Sequence, residues 1–98
     1  MLKELTSSNN EIRCEAAGAC GELGEKEAIP KLTKLTNDPD TEAQLAAIQA
    51  LGKIGGAEAR ECLEQCLNNY SEVIQQAAEQ ALRELEAKQY RHYKFPGN

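Results

Sequence analysis

The sequence predicts an all-α fold, an α-solenoid (α-α superhelix) made of stacked antiparallel helix pairs. An internal repeat, the helical spacing of apolar residues and the composition lead to this prediction. The chain has 98 residues but only one Phe, three Tyr and no Trp, so its core has to consist of Leu, Ile and Ala. Such small aliphatic side chains suit closely packed helices, whereas a β domain of this size would carry more Val, Thr and aromatic residues.

The chain matches itself at an offset of 31 residues, the separation of Gly24 and Gly55. Self-similarity at a period of about 20–50 residues is typical of stacked repeats, in which no single unit can bury its own apolar face. Small or apolar residues fall on one another in the sets Ile12/Ala43/Ile74, Ala16/Ala47/Ala78, Cys20/Leu51/Leu82 and Leu23/Ile54/Leu85.

Residues 38–67 form the most complete unit of the repeat. Asp38 and Pro39 predict a helix start, because Asp can cap free backbone N–H groups and Pro suits the first helical turn. Gly55 and Gly56 predict its end, because glycine readily takes the left-handed conformation. Apolar residues at i, i+3, i+4 and i+7 spacing on both sides of this turn predict helix A at about 39–54 and helix B at about 57–68.

Copies of these parts flank the central unit. Gly21 aligns with Gly52, and because a helical glycine costs about 1 kcal/mol relative to alanine, we expect a close approach of neighbouring helices to compensate. Arg13 aligns with Gln44 and Gln75, so we expect any charge ladder between units to be broken here. The other helices are predicted at about 2–6, 10–23, 26–36 and 71–88.

These helices define a repeat domain at residues 1–87 and leave a C-terminal tail at 88–98. Residues 1–6 resemble the end of a helix B at 32–36, so the chain begins in the middle of a unit. Because repeat arrays normally end in units with a polar outer face, we expect an excised segment of a longer array, with a short natural cap as the alternative.

The tail is basic and aromatic, with three basic residues and no acidic one. It can fold back as a cap or extend the last helix, it can be the start of a further helix, or it can be a recognition segment for an acidic surface, including another copy of the chain. Aromatic and Arg side chains are common in interface hot spots. The candidate partner-binding residues here are Tyr90, Arg91, Tyr93 and Phe95.

The net charge and the lengths of the apolar segments each argue against one class of partner. A net charge of −5 and a pI of about 4.9 are a poor match for nucleic acid. No window approaches the roughly 20 apolar residues of a membrane span, so we expect no membrane partner. Charged and polar residues follow Met1 and Leu2 at once, which predicts no secretory signal and a cytoplasmic location.

Two segments of the chain resemble a known repeat family. Residues 38–63, with the run A-L-G-K-I-G, and residues 16–32, with the run E-A-I-P, are similar to HEAT-like repeats of the phycobilisome-lyase type, and the resemblance covers about residues 2–86. The resemblance implies an α-solenoid that binds another protein; a bilin lyase-like or chromophore-protein maturation factor is the alternative. The iron-binding His-Glu pairs of the family's hydroxylase are not implied, because His92 is the only histidine.

The resemblance also implies that the B helices line the concave surface that receives a partner. A mixed-charge surface of this kind could bind a helix or an extended peptide, although charged residues on an amphipathic helix need no partner. The candidate residues are Lys31 and Lys34 on the first B helix, and Arg60, Glu61, Glu64 and Gln65 on the second. Self-association through the exposed ends is a second possibility.

No residue set predicts catalysis or a cofactor. Glu58, Glu61 and Glu64 share one helix stripe, but paired catalytic carboxylates need a cleft that shifts their pKa values. Neither a Gly-rich phosphate loop nor a nucleophile elbow is present. We therefore predict that the chain is not an enzyme and has no cofactor.

Four cysteines are interpreted as small buried apolar residues. Cys62 and Cys66 lie one helical turn apart, which leaves a redox or metal switch as an alternative function. A zinc site would need four ligands, so no metal residues are predicted. Cys14 and Cys20 point apart on one predicted helix and do not readily bridge each other.

Overall fold

The computed structural model describes the backbone of residues 2–92 and the side chains of residues 2–87. This part of the chain is helical and contains no β-strand, which confirms the all-α prediction. Short 3₁₀ turns lie at Glu4–Thr6 and Lys26–Ala28. The α-helices are α1 (Asn10–Leu23), α2 (Ile29–Leu35), α3 (Thr41–Ile54), α4 (Ala57–Cys66) and α5 (Glu72–His92).

The helices form two layers, as expected for a stack of helix pairs. The A helices α1, α3 and α5 pack side by side, while the B helices α2 and α4 lie in the second layer against α3 and α5. Apolar residues from both layers make one core, where burying each large aliphatic side chain contributes about 1.5–3 kcal/mol. The largest fully buried side chains are Leu5, Cys20, Leu32, Ile48, Leu51, Leu63 and Ile74.

Two glycines set the spacing of the A helices, which confirms the expected close approach. A Cβ atom added to Gly21 would lie 2.9 Å from the Cα atom of Ala50, and one added to Gly52 would lie 2.9 Å from the Cβ atom of Ala81. Side chains larger than hydrogen do not fit at such distances without movement of the neighbouring helix. Each unit therefore contacts the next through the same glycine–alanine contact.

The predicted start of the second helix A is wrong by two residues. Helix α3 begins at Thr41 and is capped by Asp40, whose carboxylate accepts the Ala43 N–H at 3.0 Å. Asp38 accepts the Asp40 N–H at 2.9 Å and forms an ion pair with Arg13. Asp38 therefore stabilises the turn before the helix, and Asp40 caps the helix in its place.

Replacing Asp40 by alanine should lower the free energy of unfolding by about 1 kcal/mol, because the Ala43 N–H loses its acceptor. Asp40→Asn should retain most of the stability, since an amide oxygen caps as well as a carboxylate. Thr41→Ala, one residue along and exposed, is the control and should change stability by less than about 0.5 kcal/mol. Urea unfolding measures all three; an equal loss from Asp40→Ala and Thr41→Ala would contradict the capping role.

Helix α1 has the predicted bounds, whereas the remaining helices differ from the prediction at one or both ends. Helix α4 ends at Cys66, two residues early, and the backbone of α5 continues to His92, four residues past the predicted end at 88. Pro30 lies in the first turn of α2, where a missing N–H group costs nothing.

Candidate partner-binding groove

A groove of about 350 Å³ runs between α2 and α4 on the B-helix layer. It forms because each of these helices turns its apolar residues toward the A layer and its polar residues outward. The residues from α4 lie at i, i+3, i+4 and i+7, so they make one stripe along the helix. The lining consists of Ile29, Pro30, Thr33 and Lys34 from α2, and Glu58, Glu61, Cys62 and Gln65 from α4.

The two walls of the groove carry opposite charge. Lys34 lies on the α2 wall, while Glu58 and Glu61 lie on the α4 wall, and all three side chains are exposed. Exposed charges contribute little to the stability of a fold, but they can orient a partner and speed its association.

The floor of the groove includes a buried thiol, which contacts a threonine hydroxyl outside the groove lining. Cys62 is 6% exposed, and its sulfur lies 3.9 Å from the Thr36 hydroxyl. Thr36 donates its hydroxyl proton to the Thr33 carbonyl, and Thr33 donates to the Ile29 carbonyl. The Thr36 hydroxyl can therefore accept a weak hydrogen bond from the Cys62 thiol.

A smaller recess continues from this floor toward the ends of α2 and α4. Thr33, Cys62 and Gln65 line both the groove and the recess, so the two spaces are continuous. The recess adds Thr36, Asn37, Cys66 and Asn69 to the lining.

Cys62 and Cys66 influence each other's ionisation. A hydrogen bond from Cys66 lowers the pKa of Cys62, against the opposite effect of burial. The same hydrogen bond, together with burial, raises the pKa of Cys66. The two thiols therefore act as a pair in which Cys62 ionises first.

Three of the candidate residues on the B helices meet in the groove, and three lie elsewhere. Lys34, Glu61 and Gln65 line it. Lys31 is half-buried, lines a neighbouring recess, and its ammonium lies 3.4 Å from the Leu2 carbonyl. Arg60 and Glu64 lie on α4 outside the lining of the groove.

The side chains of the candidate residues in the tail lie outside the described part of the chain. The backbone of Tyr90 and Arg91 belongs to the last turns of α5. Tyr93 and Phe95 lie outside the described residues. Their predicted role in partner binding stays a prediction.

Sequence reasoning missed the groove-lining role of Ile29, Pro30 and Thr33. Ile29 both packs in the core and reaches the groove. A sequence signal was present on α4, where Glu58, Glu61 and Gln65 share a stripe. The width of the gap to α2 depends on packing between distant residues, which the stripe does not reveal.

A second recess, of about 430 Å³, lies between the N-terminal turn and the α2–α3 turn. Its wall contains the ion pair between Arg13 and Asp38, in which Nη2 donates to Oδ1 at 3.0 Å. Nε lies 2.9 Å from Oδ2, but its N–H does not point well enough at that oxygen to form a hydrogen bond. Arg13 also donates to the Ser7 carbonyl at 2.7 Å, so it ties two turns to α1.

The residues aligned with Arg13 make neutral contacts with neighbouring turns. Gln44 donates to the Thr36 carbonyl at 3.0 Å, and Gln75 donates to the Asn69 carbonyl. The expected break of the charge ladder is therefore seen at both glutamines.

An alternating row of charges lies instead on the A helices. Glu22, Lys53 and Glu84 occupy one repeat position, and the Lys53 ammonium lies 2.8 Å from Glu22. Their hydrogen bond lowers the pKa of Glu22 and, helped by the charge of Glu84, raises the pKa of Lys53. The 31-residue offset already contained this pattern, which sequence analysis overlooked.

The described residues contain neither a cluster of metal ligands nor a helix suited to cross a membrane. Among the residues that the structure describes, no three His, Cys, Asp or Glu side chains come together as metal ligands. Within the same residues, no helix combines the length and hydropathy of a membrane span.

The fold and the groove define a class of protein, namely a short stack of helical repeats with a groove between its B helices. A family model for HEAT repeats matches residues 1–83, and the chain belongs to that family. HEAT repeats generally mediate protein–protein interaction through the surfaces that stacked helices create. The match gives no support to the narrower phycobilisome-lyase type. A comparison with curated proteins finds no match.

Proposed function

We propose that the chain is a non-enzymatic protein-binding module that holds a segment of its partner in the groove between α2 and α4. The observation that carries the proposal is the pair of oppositely charged walls on either side of the buried Cys62 thiol. Lys34 would face an acidic side chain of the partner, while Glu58 and Glu61 would face a basic one. Such complementarity selects the partner's orientation as well as its identity.

The lining of the groove suits an extended segment or one face of a helix. Ile29 and Pro30 supply apolar contact area near the Lys34 wall, and Gln65 offers an amide that can pair with a peptide group. A small apolar side chain of the partner would fill the space above Cys62. Rim charges would set the rate of association and its salt dependence, and the apolar contacts would set the lifetime.

A photo-crosslinking amino acid at position 65 should capture the partner, because Gln65 lines the groove. The matched control is position 49, since Gln49 is also exposed but lies on the A-helix side. We expect crosslinks from position 65 and few from position 49. An excess of chain without the photo-crosslinking residue should compete for the partner and remove the crosslinks from position 65. Lys34→Glu should weaken the crosslinks by about tenfold, which corresponds to about 1.4 kcal/mol.

Equal capture from positions 49 and 65, or capture that Lys34→Glu leaves unchanged, would argue against the groove. The experiment is best repeated with the purified partner at two salt concentrations. Because the charged walls are exposed, higher salt should weaken binding to the wild-type chain more than to Lys34→Gln.

End-to-end association of copies has less support than the groove. Arg83 on α5 occupies the repeat position of Gly21 and Gly52, and Ala19 on α1 occupies that of Ala50 and Ala81. Stacking of copies in the repeat register would place Arg83 against Ala19, where the other interfaces have glycine against alanine. A bilin lyase-like activity has no supporting residue here, and binding of pigment to the purified chain would test it.

A further inference from the structure

The thiols of Cys62 and Cys66 lie one helical turn apart on α4, and both line the recess beside the groove. Each thiol shifts the pKa of the other. They are 6% and 8% exposed. The recess lined by Thr33, Thr36, Asn37 and other polar residues opens onto both thiols and provides a path from solvent.

The spacing of the pair does not suit a disulfide. Residues four apart on a helix have Cβ atoms about 5–6 Å apart, whereas a disulfide needs about 3.5–4.5 Å. Bridging the sulfurs directly would therefore distort the last turn of α4. An ion between the two sulfurs needs no such distortion, because it lengthens the link between them.

We propose that Cys62 and Cys66 bind one soft monovalent metal ion of the Cu(I) class, held between their two sulfur atoms. Soft thiolate ligands select Cu(I), and this ion accepts two-coordinate geometry. Zinc would need four ligands, and among residues 2–87 no group of three or more candidate ligands exists. Both thiols lose their protons to solvent when the ion binds, so the site changes from neutral to a charge of −1.

Neighbouring groups fit this change in charge. Lys34 lines the groove above Cys62 and supplies a positive charge. The side-chain amides of Asn37, Gln65 and Asn69 line the recess and can donate hydrogen bonds to sulfur. The proposal does not rest on the proposed partner binding, since both thiols lie on one helix and line the recess as well.

The test is an anaerobic titration of the reduced chain with Cu(I) in competition with a colorimetric Cu(I) chelator. We expect one equivalent to bind, and Cys62→Ser or Cys66→Ser to weaken binding by at least about 100-fold, the upper range for loss of a supporting group around a metal. Cys14→Ser is the control, because Cys14 lies on α1 away from the pair, and it should bind as wild type does. Zn(II), titrated in a separate experiment without Cu(I), should not bind to the pair.

Thiol alkylation with mass spectrometry tests the site in the wild-type chain, which avoids any question of whether variants fold. Bound Cu(I) should protect Cys62 and Cys66 and leave the alkylation of Cys14 unchanged. Failure of the wild-type chain to compete with the chelator, protection of Cys14 instead of the pair, or equally tight binding by Cys62→Ser would overturn the proposal. Zn(II) binding as tight as Cu(I) binding would overturn the two-coordinate assignment.

Discussion

Gly52→Ala should lower the free energy of unfolding by about 1–3 kcal/mol, the usual cost of forcing an extra carbon into a packed core. The added Cβ atom would lie 2.9 Å from the Cβ atom of Ala81 and 3.1 Å from its Cα atom. Backbone atoms cannot turn aside as a flexible side chain can, so α3 and α5 have to separate. In thermal unfolding, each kcal/mol lost should lower Tm by about 4–8 °C.

Gly18→Ala is the matched control for this prediction. Gly18 lies in α1, and a Cβ atom placed there meets nothing within 4 Å. Alanine should therefore stabilise the chain by about 0.5–1 kcal/mol through its better helix propensity. Opposite signs for Gly18→Ala and Gly52→Ala are the expected result. If both changes raise Tm, α3 and α5 do not pack so closely at Gly52 that only glycine fits there.

Asp38→Asn should cost about 3 kcal/mol, because it leaves the charge of Arg13 buried without its partner. The side chains of Arg13 and Asp38 are only 14% and 8% exposed. Asparagine can still accept the Asp40 N–H, as Asn69 accepts the Ser71 N–H one repeat later. The loss therefore measures the ion pair and not the shape of the turn.

The double variant Arg13→Gln with Asp38→Asn should recover much of this loss. It places the residue types of the next unit at these two positions, because Gln44 and Asn69 align with Arg13 and Asp38. A double-mutant cycle should give a coupling energy of about 0.5–3 kcal/mol. Glu22→Gln breaks an exposed ion pair instead and should change stability little. Additive losses for Arg13→Gln and Asp38→Asn would show that the buried pair contributes nothing of its own.

The repeat offset explains why much of the fold could be predicted. Positions that align at 31 residues share the same neighbours, so Gly21 and Gly52 could be assigned to helix contacts without a structure. The aligned apolar sets likewise identified core residues such as Leu51. These features depend on local sequence and on its repetition, both of which the chain displays directly.

Features that depend on one distant residue could not be predicted in this way. Asp38 resembles a helix cap until Arg13, 25 positions earlier, is seen to pair with it. The width of the groove depends on the distance between α2 and α4, and the spacing of residues within either helix does not determine that distance. Arg60 and Glu64 were therefore grouped with Glu61 and Gln65, although only the latter two face α2.

The glycines of the A layer have a consequence on the opposite side of the molecule. Gly21 and Gly52 hold the A helices at near-backbone distance, whereas α2 and α4 make far less contact with each other. The A layer is therefore closely packed, and the groove lies in the layer where the two helices have less contact. Because α2 packs on α3, and α4 packs on α3 and α5, residues that line no part of the groove, such as Gly52, help to fix its width.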